Sequence, residues 1–373
     1  MGFVDRLKGA LYGGAIGDAM GAPVEGRASE KSVPDFGSHD FTTFIPPEHG
    51  GDPRYGKGSG RITDDTLMVE AAIAAYGDAA GHLDAYGYAE ILKPVITGRP
   101  VWISERQAEA TLSSRLAPAE QYPLMRLGPC NAEPRTAGMG NLVNCGFAMW
   151  AMPIGAVNAG DPEAAYQEAV LVGSAHNESF ALEAGAVMAA CAAEALAPGA
   201  DIPAVLDVAA RLSRGGTHAA IVDACDAADP EDDLADFVRK TIRAIAPYNP
   251  AEGLRLEGAG RGVSDVGLPS RTASIEELPA ALAALRWGDG DFVKTLRGSV
   301  CYGRDADSIA GMAAALLGAV LGRSGLPDGL CREVDEANRR EYGRLAEEFA
   351  GTIRAIARGD GERATRRAES IGG

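Results

Sequence analysis

Long apolar runs are absent from this chain, and no window approaches the roughly 18 uninterrupted apolar residues that a membrane-crossing helix needs. The opening residues, Met1-Gly2-Phe3-Val4-Asp5-Arg6-Leu7-Lys8, lack the basic stretch and apolar core of a secretory signal. Arg6 also stands where a myristoylation site wants Ser or Thr. A cytoplasmic protein with no membrane partner is expected. Metal-type cysteine spacing is missing too. The six cysteines, at 130, 145, 191, 225, 301 and 331, are scattered singly with no CxxC pair. That predicts reduced, mostly buried thiols rather than a disulfide framework or a thiolate metal site. Positive charge is in short supply: 35 Lys and Arg against 52 Asp and Glu leave a formal charge of −17. Such a chain repels nucleic acid, and a phosphorylated substrate would need help from a metal or an arginine. Aromatics make up only 6% of residues, and strand-like alternation, a repeat period and a domain linker are not evident.

What the chain does have is small apolar residues. Of 373 positions 46% are hydrophobic, with Ala dominant and 48 Gly beside it, a composition suited to closely packed helices. In the first helical segment, 7–21, Gly9, Gly13, Gly17 and Gly21 recur four apart on one face, where a neighbouring helix can approach. Gly21-Ala22-Pro23 stops that helix and releases Glu25 into a loop. Further helices are expected over 67–76, 83–92, 147–157, 162–173, 178–197, 203–213, 233–246, 276–286, 290–299, 308–322 and 332–357. Residues 26–60 and 95–143 read as irregular, the latter long enough for a functional loop or lid, with Trp102 and Ser104-Glu105-Arg106-Gln107 inside it. The expected fold class is all-α, a single compact orthogonal helical domain over residues 1–360, followed by a frayed basic tail over 361–373.

Two acidic segments share one grammar. Thr63-Asp64-Asp65-Thr66 and Asp305-Ala306-Asp307-Ser308 each stand immediately before an apolar helix. Taken singly, either could be a helix cap, since Thr, Asp and Ser accept hydrogen bonds from free amides at a helix start. A cap needs one acceptor, however, and each segment offers two carboxylates plus hydroxyls. Four carboxylates gathered in one cleft would require a cation, and hard oxygen ligands suit Mg²⁺, Mn²⁺ or Ca²⁺. Spacing alone does not say whether the two segments meet.

Together with Gly9 to Gly21 and Glu25, the Met149–Gly155 segment and Ala175-His176-Asn177, these motifs resemble the ADP-ribosylglycohydrolase family nearly end to end. The resemblance implies a helical fold around a cleft with a binuclear metal centre holding two divalent ions, Mg²⁺ or Mn²⁺. By position, Thr63, Asp64 and Asp65 would ligate from one side, and Asp305, Asp307 and Ser308 from the other. Glu25 matches the glutamate near the metals, and Asp64 and Asp305 join it as expected catalytic groups. The implied activity is hydrolysis at ribose C1 of an ADP-ribosylated protein, or of a smaller ribosyl substrate, with Glu25 or a metal-bound aspartate accepting a proton from water. A non-catalytic binding or structural member is a further alternative.

The middle motif of that family reads approximately Gly-Asn-Gly-Ala-Ala-Met-Arg; here it is Asn144-Cys145-Gly146-Phe147-Ala148-Met149-Trp150, with Pro153 beyond. Cys145 and Gly146 are expected at the substrate side of the cleft, with a structural role for the thiol. Trp150 either stacks on a base or sugar or packs in the core. Arg304, where many relatives have glycine, contacts a substrate phosphate or pairs with an acidic neighbour. His176 is a capping or packed side chain or a ligand contact. The basic glycine-rich stretch 55–61 either cradles a phosphate through its amides or is an ordinary loop, and it does not have P-loop spacing. His39, His49, His82 and His218 show no metal spacing.

Overall fold

The computed structural model describes residues 1–47, 56–248 and 274–372. The helices are α1 (Phe3–Gly21), α2 (Ser29–Phe36), α3 (Asp64–Ala79), α4 (Pro118–Leu127), α5 (Met152–Val157), α6 (Pro162–Gly173), α7 (Ser179–Ala195) and α8 (Ile202–Leu212). They continue with α9 (Gly215–Ala227), α10 (Leu234–Ile245), α11 (Ser274–Gly288), α12 (Phe292–Tyr302), α13 (Ala306–Leu321), α14 (Asp328–Asn338) and α15 (Tyr342–Ile371). Between α3 and α4 a helical run over 85–98 includes a π-type turn, Tyr88–Leu92. Strands β1 (Pro100–Ile103) and β2 (Ala108–Thr111) form a small antiparallel hairpin, with Pro100 opposite Thr111 and Ile103 opposite Ala108. The fold is all-α apart from this ribbon, and no described helix is long and apolar enough to cross a membrane.

The glycine stripe of α1 positions the site. A Cβ on Gly9 would lie 1.9 Å from the Gly318 carbonyl oxygen; on Gly13, 2.1 Å from that of Ala314; on Gly17, 2.1 Å from that of Ala310; and on Gly21, 2.2 Å from that of Ala306. Residue numbers rise on one helix as they fall on the other, so α1 and α13 run antiparallel in backbone contact. The C-terminus of α1 is thereby delivered to the N-terminus of α13. Both helices are buried on nearly every side, as is the Ala-rich α7. Their side chains join one large apolar cluster that runs from Leu7 to Ile356.

Three expectations are revised. The irregular stretches hold helices α2 and α4, hidden from sequence reading by Pro34 and Pro123 within them. Helix α9 opens on Gly215-Gly216, which reads as a breaker. The last expected helix is two, parted at Arg339, whose φ of +54° closes α14 without a glycine. Its successor α15 carries on through 361–371, the stretch expected as a frayed tail.

Candidate metal centre

The site is assembled around Asp18 of α1, which is 1% exposed. Its carboxylate accepts from the Thr63 amide at 3.0 Å, from the Thr66 amide at 3.2 Å and from the Thr66 hydroxyl. Free amides at the start of α3 are thus satisfied from another helix, which locks Thr63–Thr66 to α1. Burial, with Asp307 nearby, pushes the Asp18 carboxyl up to about 7. Thr63 caps α3 locally, its hydroxyl accepting from the Asp65 amide at 3.3 Å and lying 3.2 Å from Asp65 Oδ2.

The opposite wall comes from the turn between α12 and α13. Gly303 (φ +75°) and Arg304 (φ +56°) are left-handed, and a Cβ on Gly303 would meet Ser32 Oγ at 2.3 Å. Two backbone bonds tie this turn to the loop after α1: the Arg304 amide to the Arg27 carbonyl at 2.7 Å, and the Gly26 amide to the Arg304 carbonyl at 2.6 Å. Glu25 is therefore held beside Asp305 and Asp307, and one oxygen from each of the three lies within 4.8 Å of the others. Ser308 Oγ donates to Asp65 Oδ1 at 2.6 Å, which joins the two acidic segments directly. Burial, then Asp307, hold Asp65 and Asp305 well above the usual carboxylate range. The two clusters, separate in sequence, form one buried group of hard oxygen donors with the exposed Glu25 at its edge.

Cationic partners come from stretches without clear periodicity. Lys57 Nζ donates to Glu25 and lies 3.4 Å from Asp307 Oδ2. Arg115, 8% exposed, reaches Asp64 Oδ1 at 3.1 Å while its Nε and Nη2 bind the buried Glu105. Among the described residues, one lysine and an arginine shared with Glu105 fall short of balancing Glu25, Asp64, Asp65, Asp305 and Asp307. That deficit and the all-oxygen donor set fit a hard divalent cation.

Cys145 is buried at the rim of this group, its thiol donating to Asp305 Oδ2 at 2.9 Å and Ser308 Oγ at 3.3 Å. Burial and Asp305 push its pKa well up, the opposite of an activated nucleophile. Gly146 adjoins Glu120: a Cβ there would sit 2.3 Å from the Glu120 carboxylate, which Asn144 Nδ2 also binds at 2.9 Å. Burial, then Asp64, push Glu120 up to about 7.

Trp150 and His176 are both buried side chains. Trp150 is 1% exposed and packs edge-on to Phe147 at 5.0 Å between ring centroids, and to His176 at 5.6 Å. His176 is fully buried, with Nδ1 2.8 Å from the Tyr88 hydroxyl, and burial pushes it down to about 3, so it is neutral. Arg304 pairs with the buried Glu276, the second of the two roles open to it. The stretch 55–61, a phosphate cradle or an ordinary loop on sequence alone, sends Lys57 toward carboxylates; Tyr55 and His49 lie outside the described residues.

Asp18, Glu105, Arg115, Glu120 and the Glu276-Glu277 pair were not singled out by sequence reading. Asp18 carried one available signal, a carboxylate in the otherwise apolar, glycine-lined stretch 9–21 of its helix. Glu277, 1% exposed, has no hydrogen-bond partner for its carboxylate among the described residues and feels the charge of Asp305. Its signal was an acidic pair at a helix start, the same grammar as Asp64-Asp65.

The profile of the ADP-ribosylglycohydrolase family matches residues 2–359. The uncharacterized protein YegU of Escherichia coli (strain K12) is 26% identical over 349 residues, 93% of this chain and 96% of the relative. A solved ADP-ribosylglycohydrolase-related protein complex is similar at TM-score 0.61 and 20% identity, covering 94% of this chain and 99% of the other, and so shares the fold. With a match over nearly its whole length, the chain belongs to the ADP-ribosylglycohydrolase family.

Proposed function

We propose that this protein is a divalent-metal-dependent hydrolase that cleaves the glycosidic bond at ribose C1 of an ADP-ribosylated substrate. The observation that carries the reading is the union of the buried Asp64-Asp65 and Asp305-Asp307-Ser308 with the exposed Glu25 in one oxygen-rich group. Thr63, Asp64, Asp65, Asp305, Asp307 and Ser308 would hold two ions, with Mg²⁺ or Mn²⁺ suiting the donors. When bound, such ions supply Lewis-acid polarisation and orientation of vicinal sugar hydroxyls. Glu25 is the exposed member of the set, its side chain 41% accessible, which supports giving it the substrate contact and the proton from the attacking water. The surrounding carboxylates favour positive charge as it develops at the anomeric carbon. Asp18 acts at one remove, by fixing Thr63 and Thr66.

A smaller riboside is the second reading. It is favoured by the burial of Trp150, which withdraws from the cleft the aromatic face that an adenine could stack on.

Calorimetric titration with ADP-ribose, with Mg²⁺ present and after chelation, separates the two. Metal-dependent binding is expected, together with loss of turnover in a folded Asp305→Asn variant. No binding in a protein that still holds metal would move the assignment to smaller ribosides. Undiminished turnover in Asp305→Asn would sink the metal-site assignment.

A further inference from the structure

Lys57 is the residue of the centre that the proposed reaction leaves without a task. Its loop is built rather than slack. Gly58 (φ +108°) bridges Arg61 in a tight antiparallel turn, and a Cβ on Gly58 would meet the Pro47 nitrogen at 2.7 Å. The Ser59 amide donates to the Ile45 carbonyl at 2.8 Å, and Arg61 Nε donates to the Gly56 carbonyl. Thr63 follows directly, so the loop and the first acidic segment are parts of one support. From it the Lys57 side chain, 19% accessible, runs inward to donate to Glu25 and to lie 3.4 Å from Asp307. It also feels the charges of Asp305, Asp64 and Glu105, with Arg115 opposing them.

Glu25, Asp305 and Asp307 are also the three carboxylates whose oxygens come within 4.8 Å of one another, the spacing that a single cation spans. An ammonium bonded to one of them and 3.4 Å from another stands in the same space. Two cations cannot share it, because at a few ångströms in a partly buried site they repel strongly. An anion cradled by Lys57 would have to face those carboxylates, so a phosphate role is disfavoured.

We propose that Lys57 is a tethered cation of this centre, competing with a divalent ion for the position between Glu25 and Asp307. With Lys57 seated, the protein holds one divalent ion. A second enters only as the lysine swings out. This rests on the reading of the acidic group as a metal site.

The test is calorimetry with Mn²⁺ on the metal-stripped full chain, comparing wild type, Lys57→Met and Lys57→Arg, with a thermal melt of each in chelator to confirm folding. Methionine keeps the length of the side chain without its charge. Lys57→Met is expected to bind a second ion at least about tenfold more tightly than wild type, and Lys57→Arg to retain the weak second step. Equal or weaker binding by Lys57→Met overturns the role of the lysine while leaving the metal reading intact. Failure of all three proteins to bind Mn²⁺ overturns both.

Discussion

Gly13 and Gly14 are neighbours on α1, yet alanine should act on them in opposite directions. A Cβ at Gly13 would lie 2.1 Å from the Ala314 carbonyl oxygen and 2.9 Å from its carbon. Both are backbone atoms of a buried helix and cannot turn aside. At Gly14 the same atom would meet Ala315 Cβ at 3.5 Å and the Gly311 oxygen at 3.8 Å, ordinary contact. Replacing glycine by alanine inside a helix gains roughly 0.5–1 kcal/mol from backbone entropy, and Gly14→Ala should keep that gain. Gly13→Ala gains it too, but must prise α1 from α13 by about an ångström, an overpacking cost of typically 1–3 kcal/mol or more. With an immovable backbone as the obstacle, a net loss of about 2 kcal/mol is expected. The same displacement moves Asp18 relative to Asp307, so Gly13→Ala should also weaken Mn²⁺ binding where Gly14→Ala does not. Urea denaturation of the three proteins, with Mn²⁺ calorimetry alongside, reads both effects. A Gly13→Ala variant as stable as Gly14→Ala would refute the account of the stripe.

Further outcomes follow from the same geometry. His82 is held between Glu168 (Nδ1 to Oε2, 2.6 Å) and Asp360 of α15 (Nε2 to Oδ2, 3.1 Å), and these bonds raise it to about 9 against an opposing burial effect. Its contribution is therefore complete below the ordinary histidine value near 6.5 and is lost as pH rises through 9. Partial exposure of His82 and Asp360 discounts it to about 1–2 kcal/mol, so the stability difference between wild type and His82→Gln should shrink to near zero by pH 10. A pH-independent difference would refute the charge pairing. Trp150→Phe loses no hydrogen bond, since the indole nitrogen has no partner among the described residues, and should cost roughly 1–2 kcal/mol in denaturation with KM unchanged. A large rise in KM would return Trp150 to the cleft. Cys145→Ser should retain turnover within about threefold, whereas a loss above about a hundredfold would require thiol chemistry that the raised pKa opposes.

The parts of this molecule that were legible in its sequence are those whose physical cause is local. Glycines four apart announce a helix contact because side-chain direction repeats on that period, and both acidic segments are visible because each sits at a helix start. The supports of the centre are not local. Asp18 caps a helix that begins 46 residues later, and nothing near it in sequence says so. Arg115 links Asp64 to Glu105 from within 99–117, where the regular pieces are a two-stranded ribbon and single turns, too short to show a period. Helices α2, α4 and α9 were masked by residues that usually end helices, and the stop after α14 was missed because an arginine takes the left-handed position.

These features have one cause in common. A buried group of carboxylates opposes folding, because desolvation and mutual repulsion both raise its free energy, and Asp18, Asp65 and Asp305 all show that pressure in their raised pKa values. Side-chain interdigitation alone would let α1 and α13 slide apart to relieve it. Backbone contact along the glycine stripe cannot yield in that way without losing the tight packing of both helices. The stripe is therefore what holds Glu25 and Asp18 against the Asp305 turn while the charges push outward. Cations, whether the tethered ammonium of Lys57 or ions from solution, then relieve a repulsion that the packing has already made unavoidable.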